Sequence, residues 1–405
     1  MKNTKTFLAT ALFAATATLG ALAADPKIEI PDSTGFKFTD VKLVKTTPVK
    51  DQNKSGTCWS FSSSSFIEEE ILRKTGKEVD LSEMWIVRNC YSDKAKRYVR
   101  LYGETNFASG GSGADIFYVW RNYGMMPEQA YSGLNYGEDK HVHAELHDVL
   151  SAAVTAITKK PAKRLSTAWP KVVEGILDAY LGEAPETFVY EGKTYTPRSF
   201  ADALGINPDD YISITSFTHH PYYQPFAVEV PDNWLADLSQ NVKLDELKAI
   251  VDYALDNGYS VEWSADVSEP GFKWRKGYAV IPVKKTGDNL EGTELSRWVQ
   301  LSDADRENAT YDIKGPVEEI KVTPEIRQDM YDRQETTDDH GMVIIGRAVD
   351  QNGNKYYKVK NSWDTNQLYN GYIYVSEPYF LAKTISILLN REAVPKDIAK
   401  KIGIK

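Results

Sequence analysis

From Cys58 to Lys74 the chain reads "CWSFSSSSFIEEEILRK", with neither glycine nor proline, and this run constrains the first half of the fold more than any other. Apolar residues at 59, 66, 67, 71 and 72, with Glu68 to Glu70 among them, predict one helix with Cys58 in its first turn. An extended "TTPVKDQ" leads into it. Ser62 to Ser65 is the misfit, because serine is a middling helix former and serine runs usually mark linkers. Phe61 and Phe66 bracket the run, and small side chains let a buried helix approach its neighbours closely, so the helix is expected to continue through it. Cys58 is then either an ordinary buried thiol or a nucleophile at a helix start.

The first 23 residues stand apart from the fold. Lys2 and Lys5, an apolar stretch from Phe7 to Leu22 and Ala21-Leu22-Ala23 ahead of Ala24 read as a secretory signal peptide, so the protein is expected to be exported. No other segment approaches the roughly 18 apolar residues of a membrane span, so no membrane association is expected after processing. Losing Lys2 and Lys5 takes the net charge from -9 to -11. A chain this acidic repels phosphate backbones, and no nucleic-acid partner is expected. Cys58 and Cys90 are the only cysteines, so an exported chain can form at most one disulfide.

Further along, "GKEVDLSEMWIVRNC" reads as a turn and a capped helix opening at Leu81-Ser82-Glu83. A Gly-rich loop at Gly110-Gly111 precedes a helix over Ala114 to Tyr123. Residues 133 to 240 change character: helical stretches around His143 to Lys159 and Trp169 to Leu181 precede the aromatic "SFTHHPYYQPFAVEVPDNW". A helix over Leu244 to Asn257 leads into the strand-like "YSVEWSADV", and a polar tract follows from Asp288 to Asp312. The last third is β-rich, with turns at Asn352-Gly353 and Asn370-Gly371. The expected fold is therefore α+β, with a helical and a β-rich lobe enclosing a cleft. Its divisions are a signal peptide (1–23), a lead and helical lobe (24–132), an insertion (133–240), a β-rich lobe (241–376) and a tail (377–405).

A thiol is a useful nucleophile only as thiolate, and a helix N-terminus or a nearby imidazolium lowers its pKa. Among the histidines at 141, 143, 147, 219, 220 and 340, His340 lies directly before an apolar β-run and can be aimed across a cleft by a rigid sheet. "YYKVKNSWD" supplies Asn361 on the expected next strand to orient that ring, and Trp363 to shield their hydrogen bond. The Cys58 N–H and the Gln52 amide are candidate donors to an oxyanion. Asp338-Asp339 could raise the pKa of His340. His143 and His147 lie one helical turn apart, but a solvated helix start explains them better than a metal. His219-His220 read as a packed loop or a cleft lining. No metal or cofactor is expected.

Taken together, "PVKDQNKSGTCWSFS", "LSE", Gly110-Gly111, "DHG" before a strand and "KNSW" resemble the papain-like cysteine peptidases over nearly all of residues 40 to 395. The family signature C-G-[SA]-C-[WY] here reads Ser55-Gly56-Thr57-Cys58-Trp59, without its first cysteine. The resemblance implies that Cys90 is the widowed half of the family's disulfide, a buried thiol. It implies a two-lobed fold with Cys58 as nucleophile, His340 as base and acid, Asn361 as orienter and Gln52 as oxyanion donor. Gly110 and Gly111 would bind substrate backbone, and Trp363 would cover Asn361. His340 lies 282 residues after Cys58, against roughly 130 to 150 in small members. The enlarged chain, with "RQDMYDRQETTDDHGM", is similar to the bleomycin hydrolase and aminopeptidase C branch.

That branch implies a homo-oligomer acting on peptides as an aminopeptidase, with a C-terminal arm whose carboxylate captures the substrate amine. The tail "NREAVPKDIAKKIGIK" is shorter than such an arm, and Ile398, Ile402 and Ile404 could dock it as a short helix. An open cleft would make an endopeptidase or a dipeptide-releasing enzyme. A transglutaminase- or amidase-like acyl transferase would use the same groups, and a binding module with a dead cleft would use none of them.

Overall fold

Helix α1 spans Cys58–Thr75 in the computed structural model, which describes residues 34–159, 163–284 and 291–404. The segment read as a signal peptide lies outside them. All four serines of the run are buried. Ser60 Oγ donates to the Glu83 carbonyl at 2.9 Å, Ser62 Oγ to the Trp59 carbonyl at 3.2 Å and Ser63 Oγ to the Ser60 carbonyl at 3.3 Å, so three hydroxyls of this serine-rich helix bond to backbone. A Cβ on Gly341 would lie 2.5 Å from Ser62 Oγ. Glycine facing serine is what lets α1 lie against the strand His340–Val349. Gly76, at φ +72°, ends the helix, its N–H bonded to the Leu72 carbonyl at 2.8 Å.

Helix α2 (Glu83–Arg100) opens on Ser82, whose Oγ accepts from the Trp85 N–H, and α3 (Asp115–Tyr123) follows the glycine loop. The sheet is mixed. From one edge it runs Pro225–Ala227, Leu238–Asn241, Tyr211–Thr215, Thr384–Asn390, Val261–Ala265, His340–Val349, Lys355–Lys360, Tyr372–Ser376, Tyr278–Ala279 and Phe272–Lys273. Thr39–Leu43 also pairs with the far end of the His340 strand.

Alternate residues of the central strands face opposite cores. Val343, Ile345 and Leu388 pack with α1, α2 and α3. Met342, Ile344, Ile387 and Leu389 pack with the helix Leu244–Asp256 on the other face. The tail docks on this second face. Its helix Lys396–Lys401 buries Ile398, followed by buried Ile402, and Lys401 Nζ reaches Glu246 at 2.6 Å. It therefore lies across the sheet from α1.

Strands of the sheet fall where helices, loops and a tail were expected. Tyr211–Thr215, from the tract read as a helical and loop-rich insertion, pairs with Thr384–Asn390, from the stretch read as tail. Both are buried almost throughout, with Ser213 and Ser386 the less buried positions. No helix among the described residues is long and apolar enough to cross a membrane.

Candidate active site

Cys58 is the first residue of α1, half-buried, with Sγ 3.9 Å from the Asp339 carbonyl oxygen. The Gly56 before it has φ +67°, and a Cβ there would meet Ser109 Oγ at 2.7 Å, so the tight approach to the helix requires glycine. Thr57 makes no side-chain cap; its Oγ1 pairs with Ser55 Oγ at 2.6 Å, and its carbonyl takes the Ser60 N–H at 2.9 Å, so the cap leaves the Cys58 and Trp59 N–H groups unused. His340 begins its strand, opposite Ala265, and is buried.

Its Nε2 lies 2.7 Å from Asn361 Oδ1. The Ser362 N–H donates to the same oxygen at 2.8 Å, so that atom is an acceptor and Nε2 carries the ring proton. Nδ1 is left with the lone pair that a base needs. Asn361 sits one residue beyond the strand Lys355–Lys360, its own N–H bonded to the Gly371 carbonyl at 3.1 Å. The Trp363 ring stands 4.5 Å from the His340 ring, tilted by 34°.

Gln52 is held from both ends. Its N–H donates to the Ser362 carbonyl at 2.8 Å, and its Oε1 accepts from Ser362 Oγ at 2.7 Å. The free end of the amide is therefore its donor nitrogen. Ser362 fixes Gln52 through its hydroxyl and Asn361 through its N–H, so one residue orders both groups.

Electrostatics correct two expectations. Burial pushes the Cys58 thiol up to about 12, opposed by the Gly341 and Trp59 N–H groups and reinforced by Asp338, so the helix start does not by itself make a thiolate. Burial pushes His340 down to about 4, and the opposing influence is the Asn361 hydrogen bond rather than Asp338 or Asp339. Asp338 is itself pushed up to about 7, by burial and then by Asp232 and Asp339. An isolated thiolate and an isolated imidazolium are both disfavoured here.

The glycine loop passes beside Cys58. Lys94 Nζ donates to the Ala108 carbonyl at 2.7 Å and also to that of Gly110, and Trp59 Nε1 donates to the Ser109 carbonyl at 2.9 Å. A Cβ on Gly111 would meet Asp115 and Trp59, and one on Gly113 would meet Glu262. Above Gly110 the space is filled: a Cβ there would fall 1.8 Å from Asp232 Oδ2. Trp234 seats this segment, its Nε1 donating to Asp115 Oδ2 at 2.7 Å.

Residues 34–183 match the model of the papain family of cysteine proteases, and residues 311–404 match that of the peptidase C1-like family. The chain is a papain-like cysteine peptidase. It is 22% identical over 406 residues to Aminopeptidase C of Lactobacillus helveticus, covering 88% of this chain and 82% of that protein. It is 21% identical to the mitochondrial Cysteine proteinase 1 of Saccharomyces cerevisiae, covering 90% and 79%. The crystal structure of PepW from Lactobacillus rhamnosis HN001 superposes with a TM-score of 0.65 at 19% identity, over 90% of this chain and 84% of that one.

In this papain-like peptidase Cys90 is fully buried, and both cysteines are free. His141 and His143 are not solvated. They pack under Phe61 and Tyr136, and burial pushes His143 down to about 4. The helix begins after them, at Ala144, so their rings turn inward. Sequence reasoning missed three residues that stand against the site's groups: Ser362, which holds Gln52 and Asn361, and Asp232 and Glu262 beside the glycine loop. Ser362 could have been found inside "KNSW". Nothing local marks Asp232 or Glu262, which reach the glycine loop only through the fold.

Proposed function

We propose that this peptidase is an exported aminopeptidase acting through Cys58, His340 and Asn361. Cys58 Sγ gives its proton to His340 Nδ1 and attacks the scissile carbonyl carbon. The Cys58 N–H and the Gln52 amide nitrogen receive the negative oxygen. Collapse of this intermediate expels the amine, which takes the proton from His340 and leaves a thioester. Water, deprotonated by His340, then releases the acid and restores the thiol. Asn361 keeps the ring in the tautomer that makes both transfers possible.

The observation that carries the aminopeptidase reading is Asp232, whose carboxylate stands over Gly110 in the loop that would bind substrate backbone. It obstructs a longer chain there and offers a counter-charge to a free α-ammonium. Asp338 and buried Glu262 add to this acidic side of the cleft. Burial pushes Glu262 up to about 8, where Ser62 opposes the shift and Asp338 adds to it, so a cation nearby would restore its charge. The names of the bacterial relatives point the same way.

Matched peptides with free and acetylated N-termini test the mode, with Cys58→Ala as control. Cleavage of the free peptide alone is expected, and equal cleavage of both would overturn the reading. Asp232→Asn should lower kcat/KM for the free peptide by about 10- to 100-fold, the worth of a hydrogen bond to a charged group. An endopeptidase is the second reading, favoured by the tail, which is docked across the sheet from α1. Export is tested by sequencing the N-terminus of the protein recovered outside the cytoplasm, which should begin at Ala24.

Gln52→Ala should lower kcat by about 10²- to 10³-fold with KM nearly unchanged, as loss of one oxyanion donor does. A loss confined to KM would remove Gln52 from that role.

A further inference from the structure

We propose that His219, His220 and Glu229 bind a divalent transition-metal cation of the zinc class. Glu229 lies between the two rings, with Oε2 3.0 Å from His219 Nε2 and Oε1 2.9 Å from His220 Nε2. One atom from each residue can be chosen so that all lie within 4.8 Å of one another. Two imidazoles and a carboxylate with an open fourth position form a familiar zinc donor set, and adjacent donors around a tetrahedral zinc stand about 3.3 Å apart for bonds of roughly 2.0–2.1 Å. Two nitrogen donors select this class over magnesium or calcium.

The hydrogen bonds on the far side of His219 carry the argument. Gln328 Oε1 accepts from the Thr218 N–H at 2.7 Å and the His219 N–H at 3.3 Å, while Gln328 Nε2 donates to Asp332 Oδ1 at 2.8 Å. The atom facing His219 Nδ1 at 3.2 Å is therefore the amide oxygen, and Nδ1 must carry the ring proton. A neutral His219 then aims its Nε2 lone pair at a carboxylate oxygen. Like faces like. A cation shared by both removes the conflict, and an Nδ1–H donated to an amide oxygen is how metal-binding histidines are held in register.

The donors are also fixed in place. The His220 ring stacks on Phe226 at 4.1 Å, and Tyr331 Oη donates to the Glu229 carbonyl at 2.8 Å. Gln328 and Tyr331 belong to the helix Pro324–Asp332, which leads to His340, so the cation would tie residues 219–229 to the approach of the catalytic histidine.

The other way to remove the conflict is a second proton on His219, and the experiment separates the two. Zinc chloride is titrated calorimetrically into full-length Cys58→Ala protein, which removes the active-site thiol as a competing ligand. One zinc per chain is expected. Binding should vanish in His219→Ala and Glu229→Ala and weaken about 10- to 100-fold in Gln328→Ala. Cobalt(II) as a second probe should give the strong visible absorption of a four-coordinate site. Absence of saturable binding, or binding unchanged in the three variants, would overturn the site and leave the doubly protonated histidine.

Discussion

Replacing Cys58 with alanine will cut kcat/KM for peptide hydrolysis by about 10⁴-fold or more while leaving the unfolding transition in place. The residual rate would come from substrate binding and the oxyanion donors alone. His340→Ala should cost as much, because burial holds the thiol up at about 12 and His340 is the proposed acceptor of its proton. The double variant should be no worse than either single one, since the two residues act as a unit. Titration of released amine with each purified variant measures this, with circular dichroism to show that the fold survives. A His340→Ala enzyme retaining a tenth of wild-type activity would mean that another base serves Cys58.

The largest stability effect is expected at Lys360, beside Asn361. Glu69 and Lys360 are 2% and 3% exposed, with Nζ 3.3 Å from Oε1. Lys360 also donates to Thr47 Oγ1 at 2.9 Å. Burial raises the Glu69 carboxyl, and Lys360 is the first influence holding it down. Lys360→Met keeps the volume and strands the glutamate. Urea unfolding should show a loss of about 3–5 kcal/mol, and the Glu69→Gln, Lys360→Met double variant should recover much of it, because removing both charges removes the uncompensated one. A loss under about 1 kcal/mol, the range of an exposed pair, would show that water reaches the site.

Much of the site is legible in short stretches. The Gly56-Thr57-Cys58-Trp59 turn, the helix it opens, "DHG" before a strand and "KNSW" after one are local patterns, and each works through local geometry. The serine run was legible only because Phe61 and Phe66 bracket it; its purpose, room for Gly341, is a contact between residues far apart in the chain. The strands Tyr211–Thr215 and Thr384–Asn390 were not legible, because each is short and the partner it pairs with lies far away in the chain.

The sequence by itself determined which residue types stand ready for acyl transfer and which elements carry them, because helix periodicity, turn residues and motif spacing act over a few neighbours. Only the tertiary structure decided their electrical state and the shape of the cleft. Cys58 is pushed up rather than down because desolvation by the surrounding protein outweighs the helix start. Asp232 stands over Gly110, and the tail is docked on the opposite core, because burial of apolar faces brings distant segments together without regard to their order in the chain.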